Sequence, residues 1–263
     1  MKYFVTFSTA ALFFWSSASI ANAKEPAKEI ALDLGSGATL EMVLIPAGEF
    51  KMGDERESDA EKPVHTVKIT KPFYLGKHEI TQQQWFAVTG VKARDHVDGK
   101  SLPIGWVTWD ECQVFLTKLN SKLGVLEGKF VLPTEAQWEY ACRAGSNKKF
   151  SFGDEASKAG EHAWFNLNSG FKPQEVGKKK PNAWGLYDMH GNQWEWCADW
   201  YDAGYYAKSP PEDPRGPATG IARVIRGGSG DRGAWVSRSG SRLFGEAGNW
   251  EFYGFRVARV VVP

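Results

Sequence analysis

The chain has 263 residues, of which 42% are hydrophobic, and its formal net charge is +1. This near balance of charge argues against a nucleic-acid partner and against a polybasic membrane-binding surface. The 12 tryptophans argue against disorder, and the length allows one sizeable domain or two small ones.

Residues 1–23 have the pattern of a cleaved signal peptide. Lys2 supplies the positive start, residues 4–20 are apolar and uncharged, and Ala21-Asn22-Ala23 matches a small-x-small cleavage site. A membrane anchor is the alternative, but basic stop-transfer flanks are lacking. The pattern predicts export to the periplasm or the exterior, with Lys24 as the first residue of the mature protein. No later stretch has the roughly 20 apolar residues of a membrane span.

The three cysteines are Cys112, Cys142 and Cys197. An exported chain can keep a disulfide, so one pair and one free thiol are expected if a bridge forms, and the sequence does not choose among the three pairings. Neither CxxC nor HxH occurs, which argues against a zinc site of standard ligand spacing.

The first half of the chain predicts strands and then three helices. Residues 24–38 are a polar lead-in, and strands are expected over 38–47, 64–69 and 73–75 from their apolar or alternating patterns. Capping boxes, in which Thr precedes Glu or Gln by three positions, predict helix starts at Thr81, Thr108 and Thr134. The second helix has an apolar face with helical spacing, formed by Cys112, Phe115, Leu116 and Leu119.

After Arg143 the sequence becomes rich in Gly, Asn, Ser and Pro, and helical periodicity disappears. Binding and catalytic residues are concentrated in loops, so we expect the functional surface in this half. No segment has the composition of a linker. The sequence therefore predicts one domain over residues 39–263.

Five motifs occur in an order that resembles the formylglycine-generating enzyme family, also called sulfatase-modifying factor domains. They are MVLIPAGEFKMGDE, ITKPFYLGKHEITQQQW, VLPTEAQWEYACRAG, NAWGLYDMHGNQWEW and the pair RVIRGGS and GFRVAR. The resemblance implies a single α+β domain of C-type-lectin-like fold with little regular secondary structure. Members of this family include copper-dependent oxidases, iron-dependent sulfoxide synthases, oxidases of siderophore maturation and binding proteins, so the resemblance does not select an activity.

The same resemblance implies a calcium site in the segment GLYDMHGNQWEW. Its ligands would be the side chains of Asp188 and Glu195 and the backbone carbonyls of Gly191 and Gln193. Such a set suits a hard cation that takes six to eight oxygens, and Gly191 would allow the tight turn that points its carbonyl inward. The alternative is that Asp188 and Glu195 pair with nearby arginines.

The copper-dependent oxidases carry two cysteines, five positions apart, shortly after the GGS motif. Here residues 226–242 contain no cysteine, and Arg232 and Ser237 fall at or near those positions. Copper(I) selects soft thiolates, so no copper is expected and no catalytic residue is assigned. The five histidines lie far apart in the sequence and do not suggest the three-histidine site of the iron-dependent branch: they are His65, His78, His96, His162 and His190.

Aromatic, arginine and small polar residues follow the GGS motif, a composition typical of recognition surfaces. The predicted ligand-binding residues are Trp194, Ser229, Asp231, Arg232, Trp235, Arg238, Trp250 and Phe252. The alternative is that Trp235 and Phe252 cap the core. The leading hypothesis is an exported, calcium-stabilised protein that binds a protein or small ligand. A family enzyme that uses non-cysteine chemistry, such as an oxidoreductase, and a structural module of an envelope assembly are the alternatives.

Overall fold

The computed structural model of the protein describes residues 27–94, 97–125, 128–248 and 253–260. The predicted signal peptide therefore lies outside the described residues. Within them, no helix is both long and apolar enough to cross a bilayer.

Five strands form the first part of the chain: β1 (Glu29–Gly35), β2 (Ala38–Ile45), β3 (Gly48–Met52), β4 (His65–Ile69) and β5 (Phe73–Gly76). The strands predicted over 38–47, 64–69 and 73–75 are thus present as β2, β4 and β5. The region expected to be a polar lead-in differs from expectation, because it contains β1. Its Leu34 is fully buried, and Gly35, Ser36 and Gly37 all adopt left-handed backbone conformations that turn the chain back into β2.

Three helices begin at the predicted capping boxes: α1 (Gln82–Thr89), α2 (Trp109–Lys122) and α3 (Glu135–Arg143). In each, the Thr hydroxyl accepts a hydrogen bond from the third helical amide, and the Gln or Glu there reaches back to the Thr amide. The predicted apolar face of α2 is buried. All three capping predictions are therefore confirmed.

The remaining elements are short, as the loss of helical periodicity predicts. They are β6 (Phe130–Val131), α4 (Ala159–His162), α5 (Asn166–Ser169), β7 (Trp194–Trp200), β8 (Ala222–Arg226), β9 (Leu243–Glu246), β10 (Tyr253–Gly254) and β11 (Ala258–Val260). A 3-10 helix, Ala234–Ser237, lies between β8 and β9.

The strands form two main sheets and one two-stranded ribbon. The larger sheet is antiparallel throughout and has the order β1-β2-β5-β11-β6. The smaller has the order β10-β7-β8-β9, with β10 parallel to β7 and the other pairs antiparallel. The ribbon consists of β3 and β4. Because β7 and β8 are neighbours and run antiparallel, the residues that precede β7 and those that follow β8 lie at the same edge of the smaller sheet.

The core contains a network of buried ion pairs as well as apolar side chains. Arg226 and Arg242 meet Glu135 and Glu139 in a region with almost no solvent exposure, and Arg242 lies 2.7 Å from Glu135. Such groups are expensive to bury and are retained only when they are paired. The three cysteines are buried and unbridged, so the disulfide left open by the sequence is absent from this structure.

Candidate functional site

An open cleft of about 310 Å³ lies on the smaller sheet. Each strand of that sheet contributes one or two lining residues, which are Trp194, Ile225, Leu243, Phe244 and Tyr253. The loop after β8 and the 3-10 helix complete it with Asp231, Arg232, Trp235 and Val236. The cleft therefore has an apolar floor from the sheet and a charged and aromatic wall from the loop.

Two glycines shape the loop that forms the wall. Gly227 and Gly228 both have left-handed φ angles, 100° and 81°. A Cβ on Gly228 would lie 2.1 Å from the Ser237 hydroxyl oxygen, so no larger residue fits there. This tight turn buries Ser229 completely, and its hydroxyl donates a hydrogen bond to the carboxylate of Asp231.

The charged groups of the wall face solvent. The Arg232 side chain is 62% exposed and lies 3.6 Å from the carboxylate of Asp231, which is 23% exposed. The Arg232 amide donates to the Ser229 carbonyl, and the Arg232 carbonyl accepts from the Asn166 amide, so two hydrogen bonds fix the backbone beneath the exposed guanidinium. This arrangement can present either charge to a ligand.

Two aromatic side chains at the cleft, one from the wall and one from β9, are largely exposed. Trp235 is 72% exposed and Phe244 is 53% exposed, whereas Trp194 on the floor is only 4% exposed. Trp235 does not cap the core, which was the alternative for this residue. Large exposed apolar side chains grouped around a concave surface are typical of interaction sites.

The structure brings together four of the residues predicted for ligand binding: Trp194, Asp231, Arg232 and Trp235. It does not place two others on the surface. Ser229 is buried behind Asp231, and Arg238 is only 7% exposed because its guanidinium forms two hydrogen bonds of 2.8 Å with Glu61. Trp250 and Phe252 lie outside the described residues.

Sequence reasoning missed several lining residues: Ile225, Val236, Leu243 and Tyr253. They come from strands and from the 3-10 helix, whereas the sequence-based prediction relied mainly on the polar residues after the GGS motif. A signal was present, because Leu243 and Phe244 are consecutive apolar residues in a polar stretch and both are exposed. Only the pairing of β8 with β9 shows that they border the same surface as Asp231.

The segment in which calcium was expected is buried and tightly packed. Asp188 and Asn192 adopt left-handed conformations, and the Asn192 amide donates to the Trp164 carbonyl at 2.9 Å. A Cβ on Gly191 would lie 2.1 Å from the same Trp164 oxygen. Glycine is therefore needed here for the close approach to Trp164.

Glu195 has an arginine partner, as the alternative from sequence allowed. Both of its carboxylate oxygens accept hydrogen bonds of 2.6 Å from Arg256, and one also accepts from the Trp138 indole at 2.7 Å. All three residues are fully buried. A carboxylate oxygen can accept more than one interaction, so these donors compete with a calcium ion at Glu195 without excluding it, and the predicted four-residue ligand set stays a prediction.

Asp188 differs from Glu195 because one of its carboxylate oxygens accepts no hydrogen bond from the described residues. Its Oδ2 accepts from the Gly177 amide at 2.8 Å, whereas its buried Oδ1 has no hydrogen-bond partner among the described residues. Both carboxylate oxygens of Glu79 and both polar side-chain atoms of Gln193 are also buried without a hydrogen-bond partner among the described residues. Burial raises the pKa of Asp188 to about 6, and burial with the charges of Asp188 and Glu195 raises that of Glu79.

No group of three or more histidine, cysteine, aspartate or glutamate side chains in the described ranges is arranged to hold a metal ion. A cation near Asp188 would therefore need oxygen atoms from other residue types or from water as well.

Comparison with known proteins identifies one matching family model and three similar proteins. The model of the sulfatase-modifying factor enzyme 1-like domain matches residues 34–261. The formylglycine-generating enzyme of Streptomyces coelicolor is 30% identical over 260 residues, with 73% of this chain and 79% of that protein covered. The solved structure of Treponema denticola variable protein 1 is 30% identical, with a TM-score of 0.83 over 89% of this chain and 99% of that one.

The structure of PvdO from Pseudomonas aeruginosa is also similar, at 28% identity and a TM-score of 0.76, covering 88% of this chain and 98% of that one. The family match spans nearly all of the described residues, including the whole smaller sheet and the cleft. On these grounds the chain belongs to the formylglycine-generating enzyme family, with its sulfatase-modifying factor fold.

Proposed function

We propose that this protein is an exported binding protein whose ligand occupies the cleft between the smaller sheet and the loop at 229–237. The observation that carries the proposal is the pair of exposed aromatic side chains at the cleft, Trp235 of the wall and Phe244 of β9. Exposed tryptophan and arginine side chains are the residue types that contribute most to binding energy when a partner covers them. The ligand would be a protein segment or a small molecule.

The chemistry of the lining suggests what the ligand carries. A flat apolar group would stack on Trp235 and reach the floor formed by Trp194 and Ile225. A charged or polar group beside it would meet Arg232 or Asp231 at the rim. The proposal is thus a ligand with an apolar body and a polar end, bound by recognition alone.

Residue types in the cleft favour binding over copper-dependent oxidation. None of its lining residues is a cysteine or histidine, and residues 226–242 contain no cysteine. The three thiols of the chain are fully buried, and burial raises the pKa of each. Copper(I) is held by thiolates, which these cysteines form poorly.

An array of random peptides and small metabolites tests the proposal with purified mature protein. The wild type should select ligands whose binding falls at least about tenfold with Trp235→Ala, the loss expected when one central aromatic contact is removed. Phe86→Ala is the matched control, because Phe86 is 46% exposed on α1, away from the cleft. Ligands that bind both variants as well as the wild type would show that the cleft is not the binding site.

Export and calcium binding belong to the same proposal. What supports export is the pattern of residues 1–23. What supports calcium is the buried Asp188 oxygen that has no hydrogen-bond partner among the described residues, together with the resemblance to family members that bind this ion. The ion would supply positive charge that joins buried segments and would stabilise the fold against unfolding.

A further inference from the structure

The segment that contains α5 lies along the loop that forms the cleft wall. The Asn166 amide donates to the Arg232 carbonyl at 3.0 Å, and the Ser169 hydroxyl donates to the Gly230 carbonyl. Further along, a Cβ on Gly230 would lie 2.9 Å from the Lys172 carbonyl oxygen. These contacts along its length hold the segment firmly against the wall.

Two large apolar side chains on this segment are exposed, although neither lines the cleft. Leu167 is 84% exposed and Phe171 is 61% exposed. On the cleft side, a Cβ on Gly233 would lie 2.8 Å from the Trp235 ring, so this ring lies over the residue that follows Arg232. Exposed apolar side chains therefore flank Arg232, and the apolar surface continues past the cleft.

The backbone of Phe171 is in an uncommon conformation. Its φ angle is 60°, in the left-handed region that a bulky side chain rarely adopts, and its amide donates to the Ser169 hydroxyl at 3.0 Å. Residues held in such costly conformations are concentrated at sites of recognition and catalysis. Because the aromatic ring stays largely in solvent, the fold gains little from it, which indicates that its exposure serves binding.

The surface around these apolar side chains carries excess positive charge. The acids have partners, since Asp231 lies 3.6 Å from Arg232 and Glu175 lies 3.0 Å from Lys178. Lys172 is exposed and forms no ion pair with a described residue. A partner that covers this surface should therefore bring a carboxylate to Lys172.

The size and charge of this surface limit what can cover it. A molecule that fills only the 310 Å³ cleft would not cover Leu167 and Phe171, because neither lines the cleft. A second copy of the chain on a two-fold axis would bring the same positively charged surfaces together, which is unfavourable.

We infer that the ligand of the cleft is an acidic polypeptide segment that continues over Leu167 and Phe171 and places a carboxylate at Lys172. This inference rests on the proposed function and narrows its ligand, which was either a protein segment or a small molecule, to a polypeptide.

The test uses purified mature protein and the same array of random peptides and small metabolites. The wild type should select peptides in which apolar residues accompany Asp or Glu. Phe171→Asn should weaken their binding at least about tenfold, as expected for the loss of a central aromatic contact. Phe86→Asn, the same change at a ring that is 46% exposed on α1, is the control and should bind as the wild type does.

The melting temperature separates a binding role of Phe171 from a structural one. Phe171→Asn should melt no lower than the wild type, because asparagine tolerates the left-handed conformation better than phenylalanine. A variant that melts several degrees lower would show that the ring supports the fold, and this would contradict the inference.

The charge of the partner is tested at Lys172. Lys172→Glu should weaken the selected acidic peptides about threefold or more, and the loss should shrink as salt is added. Lys71→Glu makes the same change at an exposed residue between β4 and β5 and should have no effect. Equal losses in the two variants would mean that only the overall charge matters, which would contradict a carboxylate at Lys172.

The remaining outcomes distinguish the inference from the proposed function. Selected peptides, or only small metabolites, that depend on Trp235 and not on Phe171 would overturn the inference and leave the cleft as the binding site. Peptides that depend on Phe171 and not on Trp235 would overturn the proposed function and, with it, a ligand that spans both surfaces. A wild-type dimer that Phe171→Asn dissociates would overturn the inference in favour of a second copy.

Discussion

Arg238 and Glu61 are 177 residues apart in the sequence and form a buried ion pair with two hydrogen bonds of 2.8 Å. Their side chains are 8% and 2% exposed. The pair joins the loop that ends the cleft wall to the 3-10 helix at Asp59–Glu61. Arg238 therefore anchors the wall from behind, and its predicted role in direct ligand contact is replaced by a structural one.

Arg238→Ala should destabilise the protein, because it leaves the Glu61 carboxylate buried without a counter-ion. Breaking a buried pair in this way costs about 3 to 5 kcal/mol. Urea unfolding would measure the loss, with Arg232→Ala as a matched control that should cost less than about 1 kcal/mol, since Arg232 is 62% exposed. Equal losses in the two variants would contradict the anchoring role.

Replacement by alanine should lower the free energy of unfolding strongly at one tryptophan and very little at another. Trp196 is fully buried and donates to the Val107 carbonyl at 2.9 Å, so Trp196→Ala should cost about 3 to 5 kcal/mol. Trp235 is 72% exposed, and Trp235→Ala should change the free energy of unfolding by less than about 0.5 kcal/mol. A large loss of stability with Trp235→Ala would mean that this ring supports the fold instead of awaiting a ligand.

Asp199 should make the protein less stable as pH rises from about 4 to 7. Burial, and then the charge of Glu135, raises the pKa of Asp199 from 3.8 to about 7 in the folded protein. The folded state therefore holds a proton that the unfolded chain has released, and this favours folding only at low pH. The resulting loss between pH 5 and pH 8 should be a few kcal/mol, at about 1.4 kcal/mol per pKa unit.

Asp199→Asn should reduce this loss, because the amide oxygen can still accept the hydrogen bond from the Glu135 amide without titrating. Unfolding free energies at pH 5 and pH 8 would measure the difference. Asp154→Asn is the control, since hydrogen bonds and nearby cations lower the pKa of this exposed carboxyl and it does not titrate in that interval. An unchanged pH dependence in Asp199→Asn would show that Asp199 is ionised throughout.

The protein should not convert a cysteine to formylglycine. We would incubate copper-loaded protein and oxygen with a cysteine peptide of the sulfatase type and follow the peptide by mass spectrometry. A family member that carries the cysteine pair serves as the positive control. The peptide should keep its mass with this protein, because residues 226–242, where the resemblance to the oxidases would place the two thiolates, contain no cysteine. Turnover that disappears with Cys142→Ser or Cys197→Ser would move the active site to those residues.

Export predicts a defined amino terminus. Protein recovered from the envelope or medium of producing cells should begin at Lys24, because Ala21-Asn22-Ala23 matches the cleavage pattern. Mass spectrometry of the intact chain decides this. Replacing Ala23 by a bulky residue such as phenylalanine should leave the precursor uncut, whereas the same change at Lys28 should have no effect. Mature protein that retains Met1 would contradict the prediction.

Local features of the fold could be read from the sequence, and the capping boxes show why. Thr81 and Gln84 are neighbours in one helical turn, so their mutual hydrogen bonds need no information from elsewhere in the chain. The strand β1 was missed although its sequence carries a signal, because Ile30, Leu32 and Leu34 occupy alternate positions and all three pack on the core.

The site could be predicted only in part, because its remaining details depend on distant partners. The loop after the GGS motif indicated Asp231, Arg232 and Trp235, but the floor of the cleft depends on how β7, β8, β9 and β10 pair. Ser229 and Arg238 are also polar residues of that loop, yet each points inward. Nothing near Arg238 in the sequence identifies Glu61 as its partner.

The position of β11 affects the order in which the protein can fold. This strand lies between β5 and β6 in the larger sheet, although it is formed by residues 258–260. During synthesis, β5 therefore remains without one of its neighbours until more than 180 later residues have been made. Native structure dominated by such distant pairings forms slowly. If the protein is exported, as proposed, the edge of β5 that pairs with β11 would stay unpaired until those later residues are available.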